Sequence, residues 1–128
     1  MKRVTGVGGI FIKSANPQRM RDWYQKHLGI QIEAWGGIGF SWKGPDNPEG
    51  VGTTVWNIFE ATSDYFNPSK ATFMVNYRVA DLASLLAALR AEGCNVDPKM
   101  DDSEYGKFGW VFDPDGNKIE LWEPPPGQ

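Results

Sequence analysis

The sequence predicts an α+β fold of two βαβββ modules, whose strands form one curved mixed sheet around a shared cleft, with helices on the outer faces. Three observations lead there. The order strand, capped helix, glycine, further strands occurs twice, and the two helix caps, Asn16 and Asp81, stand about 65 residues apart. Alternating apolar and polar residues flank each helix, as half-buried strands require. The chain has 128 residues, 41% of them apolar, with six Trp, seven Phe and four Tyr, enough for one domain and one core without disulfides. One module alone would bury only one face of its strands, whereas two side by side can enclose a hollow.

The first module covers about 4–62, a linker about 63–71, and the second module about 72–124. Val7 to Lys13 reads as a strand with Ile10 and Ile12 on one face. Asn16 at the N-cap and Pro17 at the first helical position open a helix. Met20, Trp23, Tyr24 and Leu28 follow at helical spacing, and Gly29 closes it. Ile30 to Trp35 alternates as a strand, Ile38 to Trp42 forms another, Lys43 to Gly52 is a loop, and Thr53 to Phe59 is a fourth strand.

Ala61 to Lys70 has the turn chemistry of a linker. Phe73, Val75, Tyr77 and Val79 then alternate with Met74, Asn76 and Arg78, the pattern of a strand. Asp81 caps a helix carrying Leu82, Leu85, Leu86 and Leu89, closed by Gly93. A short strand at Asn95 to Asp97 ends at Pro98, Met100 to Glu104 reads as a polar loop, and Phe108 to Phe112 is a strand. Asp113-Pro114-Asp115-Gly116-Asn117 makes a tight turn into the closing strand, Lys118 to Trp122.

The formal net charge of −3 and the lack of a basic run argue against nucleic acid as a partner. No apolar stretch reads as a leader or membrane span, so a cytoplasmic protein without a membrane partner is expected. Cys94 has no second cysteine to pair with and reads as a small buried hydrophobe. Gly6-x-Gly8-Gly9 precedes a strand and lacks the Lys-Ser/Thr of a phosphate loop. No nucleophile elbow is present.

The run Tyr105-Gly106-x-Phe108-x-Trp110-x-x-Asp113-Pro114-Asp115-Gly116-Asn117-x-Ile119-Glu120-Leu121-Trp122 resembles the end of a vicinal oxygen chelate domain, the glyoxalase, bleomycin-resistance and extradiol dioxygenase superfamily. Trp23-Tyr24-x-x-x-Leu28-Gly29 resembles its first-helix signature. Val79-x-Asp81-Leu82 with Leu89-x-x-x-Gly93 resembles its second-module helix. The resemblance implies a divalent metal held by residues of the first and last strands of each module, chelating adjacent substrate oxygens. It also implies a homodimer.

Carried over singly, those positions fall on Gly9, Glu60, Met74 and Glu120. Gly9 has no ligating group, and the thioether of Met74 is a poor ligand in an oxygen-rich site. The lone histidine, His27, falls on the first helix and reads as a C-terminal helix residue. The usual histidine-containing metal site is therefore expected to be missing, leaving at most a weakly held divalent ion between Glu60 and Glu120.

The reading that follows is a small-molecule binding domain. If it is catalytic, it is a proton-transfer lyase or isomerase using Glu120 and Glu60. The alternatives are a ligand-sequestering or resistance protein and a divalent-metal lyase with an atypical site. Trp56, Trp110, Tyr105, Asn76, Arg78 and Met74 are the candidate ligand contacts, the aromatics for a planar or apolar body and the Asn–Arg pair for an oxyanion or carboxylate.

Overall fold

The structure is a computed structural model that describes residues 3–128. Nine elements follow in order: β1 (Val4–Ser14), α1 (Pro17–Leu28), β2 (Gly37–Ser41), β3 (Thr53–Glu60), β4 (Phe73–Val79), α2 (Leu82–Ala91), β5 (Asn95–Ser103), β6 (Gly106–Phe112) and β7 (Lys118–Glu123). The strands form one seven-stranded mixed sheet in the order β2-β3-β1-β4-β7-β6-β5. β1 runs parallel to β3 and β4 parallel to β7, and the antiparallel pair β1–β4 joins the modules.

Both helices start as their sequences dictate. Asn16 Oδ1 accepts from the Arg19 amide at 3.1 Å, and Asp81 Oδ1 from the Ser84 amide at 3.1 Å. Gly29 and Gly93 follow the helix ends at φ +68° and +83°, in the left-handed region that glycine adopts freely. The two helices pack unequally. Leu82, Leu85 and Leu86 of α2 bury against Val79 and Leu121 to form one core. α1 turns Pro17, Met20, Arg21 and Tyr24 toward the sheet, while Trp23 and Leu28, expected on its apolar face, are exposed. A second core cluster, Phe11, Phe66, Met74 and Trp110, lies on the other face of the sheet.

Three expectations need correction, and one segment carries more than its reading gave it. Ile30 to Trp35 is not a strand. The Glu33 amide donates to the Gly37 carbonyl and the Gly36 amide to the Glu33 carbonyl, so the segment closes a turn before a ladder with short edge strand β2 can extend. The first module is accordingly one strand short of βαβββ. Met100–Ser103, expected as loop, belongs to β5. An irregularity between Val96 and Met100 accommodates Pro98, which an edge strand tolerates. Cys94 is exposed, not buried. The stretch read as a linker carries Phe66, which is fully buried.

β1 also departs from regularity. Its pairing with β4 shifts between Val4 and Gly6 and again between Val7 and Gly9, each an extra residue on β1. Among the described residues, no helix is long and apolar enough to cross a membrane.

Candidate functional site

The concave face of the sheet holds a cavity of about 340 Å³. Alternation along β3 delivers Thr53, Val55, Asn57 and Phe59 to it, β1 supplies Gly8 and Phe11, and β4, β6 and β7 supply Asn76, Phe108, Glu120 and Trp122. Tyr65 and Tyr105 reach it from loops, and Gln128 from the chain end. The wall is largely aromatic, with a few convergent polar groups, as small-molecule sites usually are.

Glu120 is the acid of this cavity and is only 2% exposed. Three donors converge on it. Asn76 Nδ2 donates to Oε1 at 2.7 Å, Trp110 Nε1 donates to Oε2 at 3.0 Å, and the Tyr65 hydroxyl donates to the same Oε2. The register makes this possible, because Glu120 lies opposite Asn76 on β4 and opposite Trp110 on β6. Burial pushes the Glu120 carboxyl above its usual range, and the three donors partly offset that shift. Burial, then the charge of Glu120, drives the Tyr65 phenol upward as well, so Tyr65 stays a neutral donor.

Asn76 is 2% exposed, and its Oδ1 has no partner. It fits because position 8 is glycine, where a Cβ would collide with Asn76 Oδ1 and crowd Trp122. Arg78, two residues along the same face of β4, lies over the rings of Trp42 and Trp122, 4.7 and 5.4 Å from their centroids. Its Nη2 donates to the main-chain oxygen of Gln128, and its Nη1 has no partner.

The other expected residues fall as follows. Trp56 and Glu60 alternate onto the opposite face of β3, where Trp56 meets Tyr24 of α1 with ring centroids 5.0 Å apart and Glu60 is exposed. Glu60 therefore does not join Glu120, and the expected pair of acids is one acid. Trp110 supports Glu120 from behind, and Met74 packs in the core beside it. Tyr105 stands at the rim, 69% exposed. His27 lies on exposed α1, 5.2 Å from the Trp23 ring. Sequence reading missed Tyr65, which lies in the segment read as a linker. The signal was the pair Tyr65-Phe66, apolar surface that a solvated linker has no reason to carry.

The residues present do not fit a chelated divalent ion. Apart from Glu120, the side chains of the cavity wall offer no carboxylate and no imidazole, and three hydrogen-bond donors already occupy the carboxylate of Glu120. Among the described residues, no group of three or more His, Cys, Asp or Glu is placed to share a metal.

A double-module α+β sheet thus curls over an aromatic cavity with one buried acid on its floor. Residues 7–121 match the Glyoxalase/Bleomycin resistance protein/Dioxygenase superfamily model, and the chain belongs to that family. Its fold is similar to methylmalonyl-CoA epimerase from Mycobacterium tuberculosis, at TM-score 0.67 and 19% identity over 98% of this chain and 92% of that one. A Streptomyces coelicolor methylmalonyl-CoA epimerase variant in complex with 2-nitronate-propionyl-CoA matches at TM-score 0.67 and 15% identity, over 98% of each chain. A superfamily member from Vibrio splendidus 12B01 matches at TM-score 0.60 and 12% identity, over 91% and 97%. Among curated proteins, none matches the sequence.

Proposed function

We propose that the cavity binds a compact organic molecule and that Glu120 moves a proton to or from a carbon of it, which makes the protein an isomerase or lyase. The observation that carries this reading is a lone carboxyl, buried at the cavity floor, with burial lifting its affinity for protons toward the range a general base needs. Tyr65 and Asn76 line the same cavity and hold the carboxyl in place. Neighbours of the same fold bind CoA derivatives, which makes thioester-activated carbon acids a reasonable starting panel.

The test is deuterium uptake from D2O into small carbonyl acids and methylmalonyl-CoA, followed by NMR. Uptake is expected into at least one, and Glu120→Gln should abolish it while binding survives. A panel that binds without uptake, equally well in wild type and Glu120→Gln, refutes the reading.

One observation favours the second reading, sequestration without turnover. Three donors already satisfy the carboxylate, which holds down its basicity.

The protein acts as a homodimer. Val4, Val7, Ile10 and Phe73 are exposed along the outer face of the central β1–β4 seam, and the cross-strand pairs Ile10–Val75 and Ile12–Phe73 make the stripe continuous.

A further inference from the structure

The three donors on Glu120 differ in what a molecule in the cavity can reach. Asn76 is buried, with its Nδ2 spent on Glu120 Oε1 and its Oδ1 walled in beside Gly8. Trp110 is buried too and does not line the cavity. With Lys99 and Lys118 it lines a separate hollow of about 210 Å³, which Tyr65 divides from the cavity. Tyr65 is 36% exposed and does line the cavity. Of the three, it is the one that a bound molecule can touch.

The Tyr65 ring is fixed in place. Phe66, next in sequence, is fully buried, and Lys118 Nζ donates to the Tyr65 carbonyl at 2.8 Å. The ring stacks on Phe59 with centroids 5.6 Å apart and meets Trp110 edge-on at 6.2 Å. Its hydrogen is not fixed, because a hydroxyl hydrogen turns about the C–O bond. A phenol both donates and accepts, so its hydrogen bond with Glu120 can reverse. While Oε2 is ionised it accepts from Tyr65. Once Oε2 holds a proton it can donate to the phenol oxygen, and the phenol hydrogen is released to the cavity.

We infer that the Tyr65 hydroxyl is the cavity's donor to a ligand oxygen, which in the proposed reaction is the oxygen of an enolate. The substrate is then a carbon acid whose acidic C–H lies next to a carbonyl group. This rests on Glu120 acting as the base. The C–H bond breaks and its proton goes to Glu120 Oε2. Its electron pair moves into a C=C bond as the carbonyl oxygen takes up the negative charge. Tyr65 turns its O–H onto that oxygen and accepts from the protonated Oε2, so the phenol keeps its own proton. Reversal returns the proton to carbon. The donor that tempers Glu120 at rest thus stabilises the charge that forms during reaction.

Two probes test this by titration into the full chain. 4-Nitrophenol is flat, and its oxygen bears charge as an enolate's does; nitrobenzene is the same body without that oxygen. 4-Nitrophenol is expected to bind at least about tenfold more tightly. Tyr65→Phe keeps the ring and should remove most of that preference, whereas Glu120→Gln should retain it. Deuterium uptake should fall about a hundredfold in Tyr65→Phe with KM little changed, the scale of one lost oxyanion donor. Were Tyr65 only a brake on Glu120, removing it would make the carboxylate more basic and uptake would hold or quicken. Should Tyr65→Phe fail to fold, the Trp110 indole proton decides in the wild type. It shares Oε2 with Tyr65, so 4-nitrophenol should shift it and nitrobenzene should not. No preference in the wild type, a preference that survives Tyr65→Phe, or uptake no slower in that variant overturns the inference. A Tyr65-dependent preference without any deuterium uptake would instead sink the proton-transfer reading and leave Tyr65 as the donor to the ligand oxygen.

Discussion

Glu120 shows how much one side chain can depend on its surroundings. Because burial raises its pKa, the folded chain holds this proton more tightly than the unfolded chain does. Its contribution to stability is therefore fullest below the ordinary carboxylate range and is lost as pH rises through the raised value. Glu120→Gln cannot ionise, so the parent's stability relative to the variant should fall as pH rises above the ordinary carboxylate range, read as urea midpoints. A relative stability that rises would mean the three donors outweigh burial. At this scale the sequence was partly legible. The family resemblance, carried onto the last strand, pointed to Glu120, and strand alternation put Asn76 and Arg78 on one face. Glu60 and Trp56 were misplaced because the parity of β3 relative to the cavity depends on its pairing with β1, which no local pattern encodes. Nothing near Tyr65 in sequence points to Glu120, since that hydrogen bond spans 55 residues.

Among the elements, the segment between β3 and β4 carries more than its composition suggests. Phe66 fills the concave core against Phe59, with ring centroids 5.3 Å apart, and Phe59 in turn stacks on Tyr65 at 5.6 Å. Phe66→Ala should cost about 3–5 kcal/mol, the usual range for deleting a buried aromatic, measured by chemical denaturation. It should also loosen Tyr65 from Glu120, detectable as greater solvent exchange of the Trp110 indole proton. Helices were the most legible elements, because caps and closing glycines are local chemistry. Strands were less so. Ile30 to Trp35 has the alternation of a strand but no partner edge, and β5 continues through Pro98, where a local rule would stop it.

For the whole molecule, the two halves are alike in order and unequal in packing. The leucines of α2 seal one side of the second module, while α1 leaves Trp23 and Leu28 in solvent. The central seam between the helices is bare and apolar, and it is the face assigned above to a second copy. Ile10→Glu with Phe73→Glu should convert a dimer to a monomer in sedimentation velocity with the fold intact by circular dichroism. An unchanged sedimentation coefficient would place the subunit contact elsewhere. Duplication made the architecture readable from the sequence, since a repeat constrains topology far more than any single motif does. The openness of the sheet and the inequality of its halves come from long-range packing, which a repeat cannot announce.

The two extra residues in β1 have a bearing on redesign. Each sets one more residue of β1 against β4, so that beyond them Gly9 lies opposite Asn76 and Phe11 opposite Met74. At Gly9 an added Cβ would press within 2.9 Å of the Phe11 ring and 3.2 Å of the Val55 carbonyl. An imidazole grafted there would need the Phe11 ring to swing aside and the β3 backbone to give by a few tenths of an ångström, so a new ligand at this position would be gained at the expense of packing around Phe11.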